Sequence, residues 1–159
     1  MKIKYKKCCL ALIVAGFVIA IYTAWLSLRP VNIIAVHQRS NNFSAILVEN
    51  FPLTDKGKIA WWLKNSYPIK EKYNIPVPAE DGFFSITFWL FGDGYKEQGK
   101  YDRLCFDEIK SSKKCIEKNP VLTVEKTRNR GIFFTIYDGS NYRIDENGKI
   151  IKITESRDK

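Results

Sequence analysis

The feature that most constrains this chain is an uncharged apolar run near its start, "CCLALIVAGFVIAIYTAWLSL", which fills residues 8–28. As an α-helix the run extends over roughly 31 Å, at about 1.5 Å per residue, which is enough to cross the hydrocarbon core of a bilayer. The alternative is a cleaved signal peptide, whose apolar core is shorter, usually about 7–15 residues. The best small residue for a cleavage site, Ala24, also has the bulky Tyr22 two positions before it. The run therefore predicts an uncleaved membrane anchor.

Basic residues indicate how this anchor is oriented. Arg29 is the one cation directly after the apolar run, whereas four cations and no acid precede it: Lys2, Lys4, Lys6 and Lys7. Since lysine and arginine next to a span stay on its cytoplasmic side, we expect the N-terminus in the cytoplasm. The chain is then divided into a cytoplasmic basic tail (1–7), a transmembrane helix (8–28) and one folded domain outside the cytoplasm (29–159).

Size and charge limit what the outer domain can be. Its length of roughly 130 residues suffices for one compact domain and is too short for two comfortable ones. Five of the 26 Lys and Arg residues lie in residues 1–29, which leaves 21 against 17 acidic residues, or a net charge of about +4. No cluster of basic residues alternates with aromatic residues along a predicted strand or helix. The sequence therefore predicts no nucleic-acid binding.

Two cysteines, Cys105 and Cys115, lie in the outer domain, where thiols can be oxidised. A disulfide that closes so short a loop stabilises a fold by roughly 3 kcal/mol in the chain-entropy model. The alternative, half of a metal site, lacks its other ligands, because the sole histidine, His37, is distant in sequence. The pattern favours a Cys105–Cys115 disulfide, whereas Cys8 and Cys9, at the cytoplasmic edge of the anchor, are expected to stay reduced.

The first half of the domain has the pattern of a hairpin followed by a helix. Alternating apolar residues predict two strands joined by a turn over residues 31–49. Thr54 is a suitable N-cap, so a helix is predicted from Asp55 to Asn65. Pro68 is expected to break or kink that helix.

The second half of the domain is predicted to be rich in strands. Residues 83–91, "FFSITFWLF", have aromatic side chains on both faces, which favours a central strand covered on both sides. Two more hairpins are predicted, with turns at 128–131 and 146–148, whereas residues 107–119 are expected to form a short helix or an irregular segment. The domain is therefore predicted to be α+β, an antiparallel sheet with one main helix packed on it.

Two adjacent tryptophans, Trp61 and Trp62, lie within the predicted helix. Neighbouring residues on a helix point about 100° apart, so the two rings cannot both lie at the centre of one apolar stripe. The predicted inward stripe places Trp62 in the core, together with Ile59, Leu63 and Ser66. Trp61 is then either covered by another segment, such as "YNIPVP", or exposed as an aromatic anchor for a partner or the membrane surface.

No recognisable set of catalytic residues is found in the domain. His37 alternates with apolar residues along a predicted strand, which favours a structural or surface role. Asp107 and Glu108 stand close to lysine and arginine, as on a solvated face. The polar loop 92–100 lacks the ligand spacing of a calcium site. We therefore expect a protein that is not an enzyme, with no catalytic residue, no metal and no cofactor.

Recognition of another protein remains as the expected activity. Loops 92–100 and 102–114 mix charged residues with tyrosines, and tyrosine and arginine supply much of the binding energy of protein interfaces. The alternative for these loops is an ordinary solvated surface. The candidate partner-binding residues are Trp61, Tyr95, Tyr101 and Arg103.

Five stretches of the sequence carry a resemblance to a known family: "SLRPVNIIAVH", "NFPLTDKGKIAWWLKN", "KEKYNIPVP", "FGDGYKEQGKYDRLCFDEIK" and "NGKIIKI". They resemble a family of small enterobacterial inner-membrane proteins known as domain of unknown function 943, from the anchor to about residue 153. The resemblance implies that the outer domain lies in the periplasm, an oxidising compartment that strengthens the disulfide prediction. It implies no catalytic or binding residues.

Two functions are compatible with these features. The first is an immunity protein, anchored in the lipid bilayer through residues 8–28, that occludes an antibacterial toxin acting in the periplasm or at the inner membrane. This expectation rests on analogy with small anchored immunity proteins and not on the family. The second is an accessory or sensor subunit of an envelope membrane complex, for which the transmembrane sequence itself should be required.

Overall fold

Helix and strand account for most of the described chain, which the computed structural model divides into two compact units, Met1–Pro30 and Val31–Lys159. The first unit is one continuous helix, α1 (Lys2–Leu28), whose large apolar side chains between Leu10 and Trp25 are exposed. Among the residues whose side chains are described, no helix is both long enough and apolar enough to cross a membrane. The structure describes residues 2–39, 42–128 and 131–153.

The second unit contains one helix and ten strands within its described residues, and in chain order these are β1 (Asn32–Gln38), β2 (Phe43–Glu49), α2 (Asp55–Tyr73), β3 (Phe84–Leu90), β4 (Lys96–Glu97), β5 (Arg103–Cys105), β6 (Lys113–Glu117), β7 (Pro120–Thr127), β8 (Gly131–Thr135), β9 (Asn141–Ile144) and β10 (Ile150–Ile153). A large sheet has the strand order β1-β2-β3-β7-β8-β9-β10, and a small sheet has the order β4-β6-β5.

The prediction of an α+β domain is confirmed, but the large sheet is mixed and not purely antiparallel. Strands β2 and β3 are parallel, whereas the other described neighbours pair antiparallel. The helix α2 lies between β2 and β3 in the chain. It returns the chain from the end of β2 to the start of β3, as a connection between parallel strands requires. Because a helical crossover joins them, β2 and β3 run in the same direction.

The helix α2 begins at the predicted residue and ends later than predicted. The Thr54 hydroxyl caps it by accepting a hydrogen bond from the Gly57 N–H (3.1 Å). The predicted break at Pro68 is wrong, because α2 continues through this proline to Tyr73. A proline inside a helix costs a backbone hydrogen bond, but the added turn buries Ile69 to 2% exposure, which offsets that loss.

The inward stripe of α2 is rotated from the predicted one. Trp62 is buried as predicted, and Ile59 and Ile69 are buried with it. Leu63, however, is 45% exposed, and the stripe includes Lys58 instead. The buried positions 58, 62 and 69 are separated by four and seven residues, the spacing of one helix face.

Trp61 lies at the edge of this stripe and is half-buried. Its ring packs edge-to-face against Phe51 and Phe88, with ring centroids 5.1 and 5.7 Å apart. The Trp61 ring is therefore partly covered, and the rings that it contacts are those of Phe51 and Phe88.

Both faces of β3 are covered, as its sequence predicts. Helix α2 packs on one face, over a core that includes Ile46, Phe84, Ile86, Phe88, Leu122 and Phe134. The small sheet packs on the other face of the large sheet, through a second cluster formed by Ala45, Leu47, Leu104, Phe106 and Ile116, against which Trp89 of β3 packs. The strand β3 is therefore an interior strand of the sheet with a packed layer on each face.

The small sheet is an insertion between β3 and β7, which are neighbours in the large sheet. The Leu90 N–H donates a hydrogen bond to the Asn119 carbonyl (2.9 Å), so the chain leaves and rejoins the large sheet at adjacent points. The prediction for residues 107–119 is wrong in part, because they include the strand β6. Pairing with β5 and burial of Ile116 select the strand there.

The three predicted hairpins are confirmed by the pairing of their strands. Strands β1 and β2 pair over the first, β7 and β8 over the second, and β9 and β10 over the third. Residues 129–130 of the second turn lie outside the described residues.

Candidate functional site

A disulfide bond closes the small sheet. Cys105 of β5 and Cys115 of β6 stand opposite each other in the antiparallel pair, and their sulfur atoms are bonded. This is the pairing that the sequence predicts. The bond joins the two strands that carry the central charged residues of this sheet.

Charged side chains on the small sheet form a network around Glu117. The Arg103 guanidinium contacts the Glu117 carboxylate through Nε and Nη2, both at 2.9 Å, and donates a further hydrogen bond to the Glu97 carbonyl (2.6 Å). Lys96 pairs with Glu117 (3.3 Å) and with Asp93 (3.1 Å). The hydrogen bonds from Arg103 and then Lys96 lower the pKa of Glu117. Exposed ion pairs add little stability, so the main effect of the network is to hold the guanidinium in place.

Tyr101 is the aromatic side chain beside this network. It is 69% exposed, and the guanidinium carbon of Arg103 lies 4.8 Å from the centroid of its ring, in a cation–π geometry. The predicted residues Tyr101 and Arg103 are therefore brought together. We call the surface formed by Tyr101, Arg103, Lys96 and Glu117 the Tyr101 face.

The other two predicted partner-binding residues lie elsewhere. The Tyr95 ring packs on the second core cluster, against Phe91 at a centroid distance of 5.1 Å. Trp61 belongs to the core cluster under α2, on the opposite face of the large sheet. The side chains of the predicted orientation lysines lie outside the described part of the structure: Lys2, Lys4, Lys6 and Lys7.

His37 links β1 to the segments on either side of β5. Its buried ring stacks on Phe106 with centroids 3.7 Å apart, while Nδ1 lies 2.6 Å from Glu108 Oε1 and Nε2 lies 2.8 Å from the Tyr95 hydroxyl. Since a carboxylate can only accept, Nδ1 donates to Glu108, and the Tyr95 hydroxyl donates to Nε2 when the ring is neutral. Burial and then the charge of Glu108 raise the pKa of Tyr95. We call these four residues the His37 clasp, and they give His37 a structural role.

A second polar cluster joins the start of α2 to the turn between β8 and β9. Lys58 is 2% exposed and forms an ion pair with Asp138 of that turn. The hydrogen bond from Lys58 lowers the pKa of Asp138. Asp55 accepts hydrogen bonds from the Ser140 N–H (3.1 Å) and the Tyr142 hydroxyl (2.9 Å), and the latter bond raises the pKa of Tyr142. The first turn of α2 is thus fixed by two separate polar contacts.

A cavity of about 250 Å³ opens beside Lys58. Its lining is mostly apolar, and residues 50–53 after β2 contribute to it together with Leu90 at the end of β3 and Val121. Lys58, Asp138 and Asn50 supply the polar part of the lining. The cavity therefore combines apolar walls with one buried cation.

Lys58 was not identified from the sequence, although a signal for it exists. Lys58 precedes Trp62 by four residues, so the two side chains share one face of the helix. A lysine on a buried stripe needs a partner or a ligand for its charge. Sequence periodicity alone does not reveal that partner, because Asp138 is 80 residues away.

Within the described ranges, no group of three or more His, Cys, Asp or Glu side chains is arranged to hold a metal ion. The polar clusters of the domain are instead ion pairs and hydrogen bonds between side chains.

Comparison with known proteins bears on the family of this chain. No curated protein and no solved structure matches it. A family model described as "Enterobacterial putative membrane protein (DUF943)" matches residues 2–154, which is nearly the whole sequence. The protein therefore belongs to this enterobacterial family, domain of unknown function 943.

Proposed function

We propose that α1 anchors this protein in the inner membrane, with its N-terminus in the cytoplasm and residues 29–159 in the periplasm. The description of the family as one of membrane proteins supports this. The uncharged run covers residues 8–28. Side chains are described for residues 9–25 of this run, and all of them are exposed along α1. The four lysines before that run favour the cytoplasmic placement of the N-terminus.

On this anchor, the domain acts as a binding protein without catalytic turnover. The observation that carries this proposal is the Tyr101 face, where an exposed aromatic ring lies against a guanidinium held by Glu117 and Glu97. Tyrosine and arginine are the residue types that most often dominate interface energies. A guanidinium that is already fixed loses little conformational entropy when a partner docks, which favours binding.

The partner in this proposal is an antibacterial toxin that acts in the periplasm or at the inner membrane. The protein is then an immunity protein, which neutralises the toxin by covering its active surface. A small domain held at the membrane stands where such a toxin acts, and complementary contacts suffice for occlusion. The support for this choice of partner is this placement and the analogy with other anchored immunity proteins.

Competition between sibling strains tests the proposal. A strain that lacks the gene should be killed by a sibling that carries the cognate toxin, and the wild-type gene should restore survival. Tyr101→Ala should fail to restore it, because the anchor of the interface is removed. Tyr67→Ala is the matched control, since Tyr67 on α2 is also 69% exposed, and it should protect as well as the wild type.

Two results would contradict this function. Equal survival of the deletion strain and its parent against every toxin-bearing sibling would remove the immunity proposal. Loss of protection when residues 8–28 are replaced by an unrelated transmembrane span would favour an accessory subunit of a membrane complex, because an immunity domain needs only to be held in the periplasm. The amounts of each variant in the membrane fraction must be equal for either comparison.

A further inference from the structure

The buried ammonium of Lys58 is incompletely paired for its position. The residue is 2% exposed, whereas the side chain of its partner Asp138 is 64% exposed. Moving an ammonium out of water costs several kcal/mol, and a carboxylate that is itself largely in water offsets only part of that cost. The charge of Lys58 is thus held in the interior by a partner at the surface.

The Lys58 ammonium also has more N–H donors than it has acceptors among the described residues. Lysine presents three N–H donors, and among the described residues Asp138 is the one acceptor within hydrogen-bond distance of the Lys58 Nζ. Buried donors are normally paired, so this arrangement leaves room for a second acceptor. A carboxylate or another anionic oxygen is the strongest acceptor for such a group.

The cavity beside Lys58 has the size and lining to supply that acceptor on an apolar molecule. Its volume is about 250 Å³, and Phe51, Leu90 and Val121 are among its apolar walls. At roughly 30 Å³ for each water-sized group, it holds about eight non-hydrogen atoms. Leu53 also lines the cavity and is 73% exposed, so the cavity is open to solvent.

We propose that this cavity binds a small monocarboxylate with an apolar chain, whose tail fills the apolar part while its carboxylate pairs with Lys58. Asp138 is then the group that the ligand displaces, since it lies on an exposed turn and can rotate into water. Exchange of one carboxylate for another keeps the buried ammonium paired in both states. This site is separate from the Tyr101 face, because it lies at the start of α2 on the other side of the large sheet.

Binding of hexanoate to the full chain in phosphatidylcholine nanodiscs tests the proposal. Hexanoate has the eight non-hydrogen atoms that the cavity accommodates, and titration calorimetry against empty nanodiscs measures its affinity. Lys58→Met should weaken the binding by at least about tenfold, because the charged partner of the carboxylate is removed. Asp138→Asn should strengthen it by about fivefold, because the internal competitor for Lys58 is removed.

Controls separate this site from unspecific binding. Lys64→Met changes an exposed lysine of the same helix and should leave the affinity for hexanoate unchanged. Hexanamide has the same size without the charge, and it should bind the wild type at least about tenfold more weakly than hexanoate. Circular dichroism checks that each variant is folded, and if Lys58→Met is not, the Asp138→Asn and hexanamide measurements decide.

The proposal is overturned if folded Lys58→Met binds hexanoate like the wild type. It is also overturned if hexanamide binds as tightly as hexanoate, since the cavity would then recognise only apolar surface. A wild type and an Asp138→Asn variant that both fail to bind hexanoate would show that the Lys58–Asp138 pair is structural only.

Discussion

Both ring nitrogens of His37 are hydrogen-bonded and its ring face is stacked on Phe106, so one side chain joins three segments that are distant in sequence. Glu108 and Tyr95 come from either side of β5, while His37 is in β1. Because the ring is buried, these bonds are not exchanged for bonds to water without unfolding part of the domain. The small-sheet segment is thereby held to the edge of the large sheet.

Replacement of His37 tests this role. We expect His37→Ala to lower the free energy of unfolding by about 2–3 kcal/mol, because a buried ring and two hydrogen bonds are lost. Tyr95→Phe removes only the hydroxyl and should cost about 1 kcal/mol. Urea denaturation measures both values. Equal stability of His37→Ala and the wild type would show that the clasp does not hold the fold.

The Lys58–Asp138 pair should make stability depend on acid pH. The pKa of Asp138 is lowered in the folded state from the ordinary value of about 3.9, so its contribution is complete above about pH 4 and is lost as the pH falls through the lowered pKa. At neutral pH, Asp138→Asn should cost about 1 kcal/mol, since the carboxylate is largely screened by water.

Denaturation of the wild type and Asp138→Asn at pH 7, 5, 4 and 3 checks this expectation. The difference between the two should shrink as the pH falls below about 4, because the unfolded wild-type chain then binds a proton that the folded chain binds only at lower pH. Glu80→Gln changes an exposed acid elsewhere and is the control. A difference that stays constant down to pH 3 would contradict the assignment.

Side chains were predictable from sequence where a local pattern decides their position. Trp62 lies on an apolar stripe, and the stripe places it in the core. Tyr95, Tyr101 and Arg103 all lie in polar segments, so the sequence does not show that the Tyr95 ring turns inward while Tyr101 stays exposed. Its partner His37 is 58 residues away, and such contacts are set by the tertiary fold.

At the scale of elements, α2 shows how local signals and packing share control of a helix. The cap at Thr54 is a local signal, and the start of the helix follows it. The end does not follow Pro68, because burial of Ile69 favours a further turn. Asn74 then ends the helix in a left-handed conformation (φ 54°), which asparagine tolerates.

The contribution of the cap can be measured directly. Thr54→Ala should lower the free energy of unfolding by about 1 kcal/mol, because the Gly57 N–H loses its acceptor. Thr54→Ser retains the hydroxyl and should be close to the wild type. If alanine and serine give the same stability in urea denaturation, the hydroxyl does not act as a cap.

The disulfide belongs to the same scale, since it stabilises the small sheet. The Cys105→Ser and Cys115→Ser double variant should lose about 3 kcal/mol of unfolding free energy, from the closed loop of ten residues. Amide hydrogen exchange should increase mainly in β5 and β6. Cys9→Ser alters an exposed cysteine of α1 and should change neither measurement, and unchanged exchange in β5 and β6 of the double variant would contradict the expectation.

Hairpins were predictable because their strands are close in sequence, whereas the parallel pair was not. The turns between β1 and β2, β7 and β8, and β9 and β10 contain residues that favour a reversal of the chain. The pairing of β2 with β3 spans the whole of α2, and no local signal states it. The second sheet was missed because β4 and β6 are short strands within polar sequence.

At the scale of the whole molecule, the proposed topology depends on charge near the apolar run. Replacement of Lys2, Lys4, Lys6 and Lys7 by glutamine should reduce the fraction of chains with the domain outside, because Arg29 then becomes the main flanking charge. Alkaline phosphatase fused to the C-terminus is active only outside the cytoplasm and reports this fraction.

The matched control removes the same number of lysine charges from α2. Four exposed lysines of α2 replaced by glutamine should leave the phosphatase activity unchanged: Lys56, Lys64, Lys70 and Lys72. An inactive wild-type fusion that accumulates to the normal amount would contradict the proposed orientation.

The place where the small sheet enters the chain has a consequence for how this family can diversify. Residues between Leu90 and Asn119 form an insertion between β3 and β7, which otherwise pair as an antiparallel hairpin. Replacement of this insertion by another sequence alters the Tyr101 face and leaves the core beneath α2 the same. Selection for a new partner can therefore act on about thirty consecutive codons. Every replacement segment still has to cover the apolar side chains of Ala45, Leu47 and Trp89 on the large sheet.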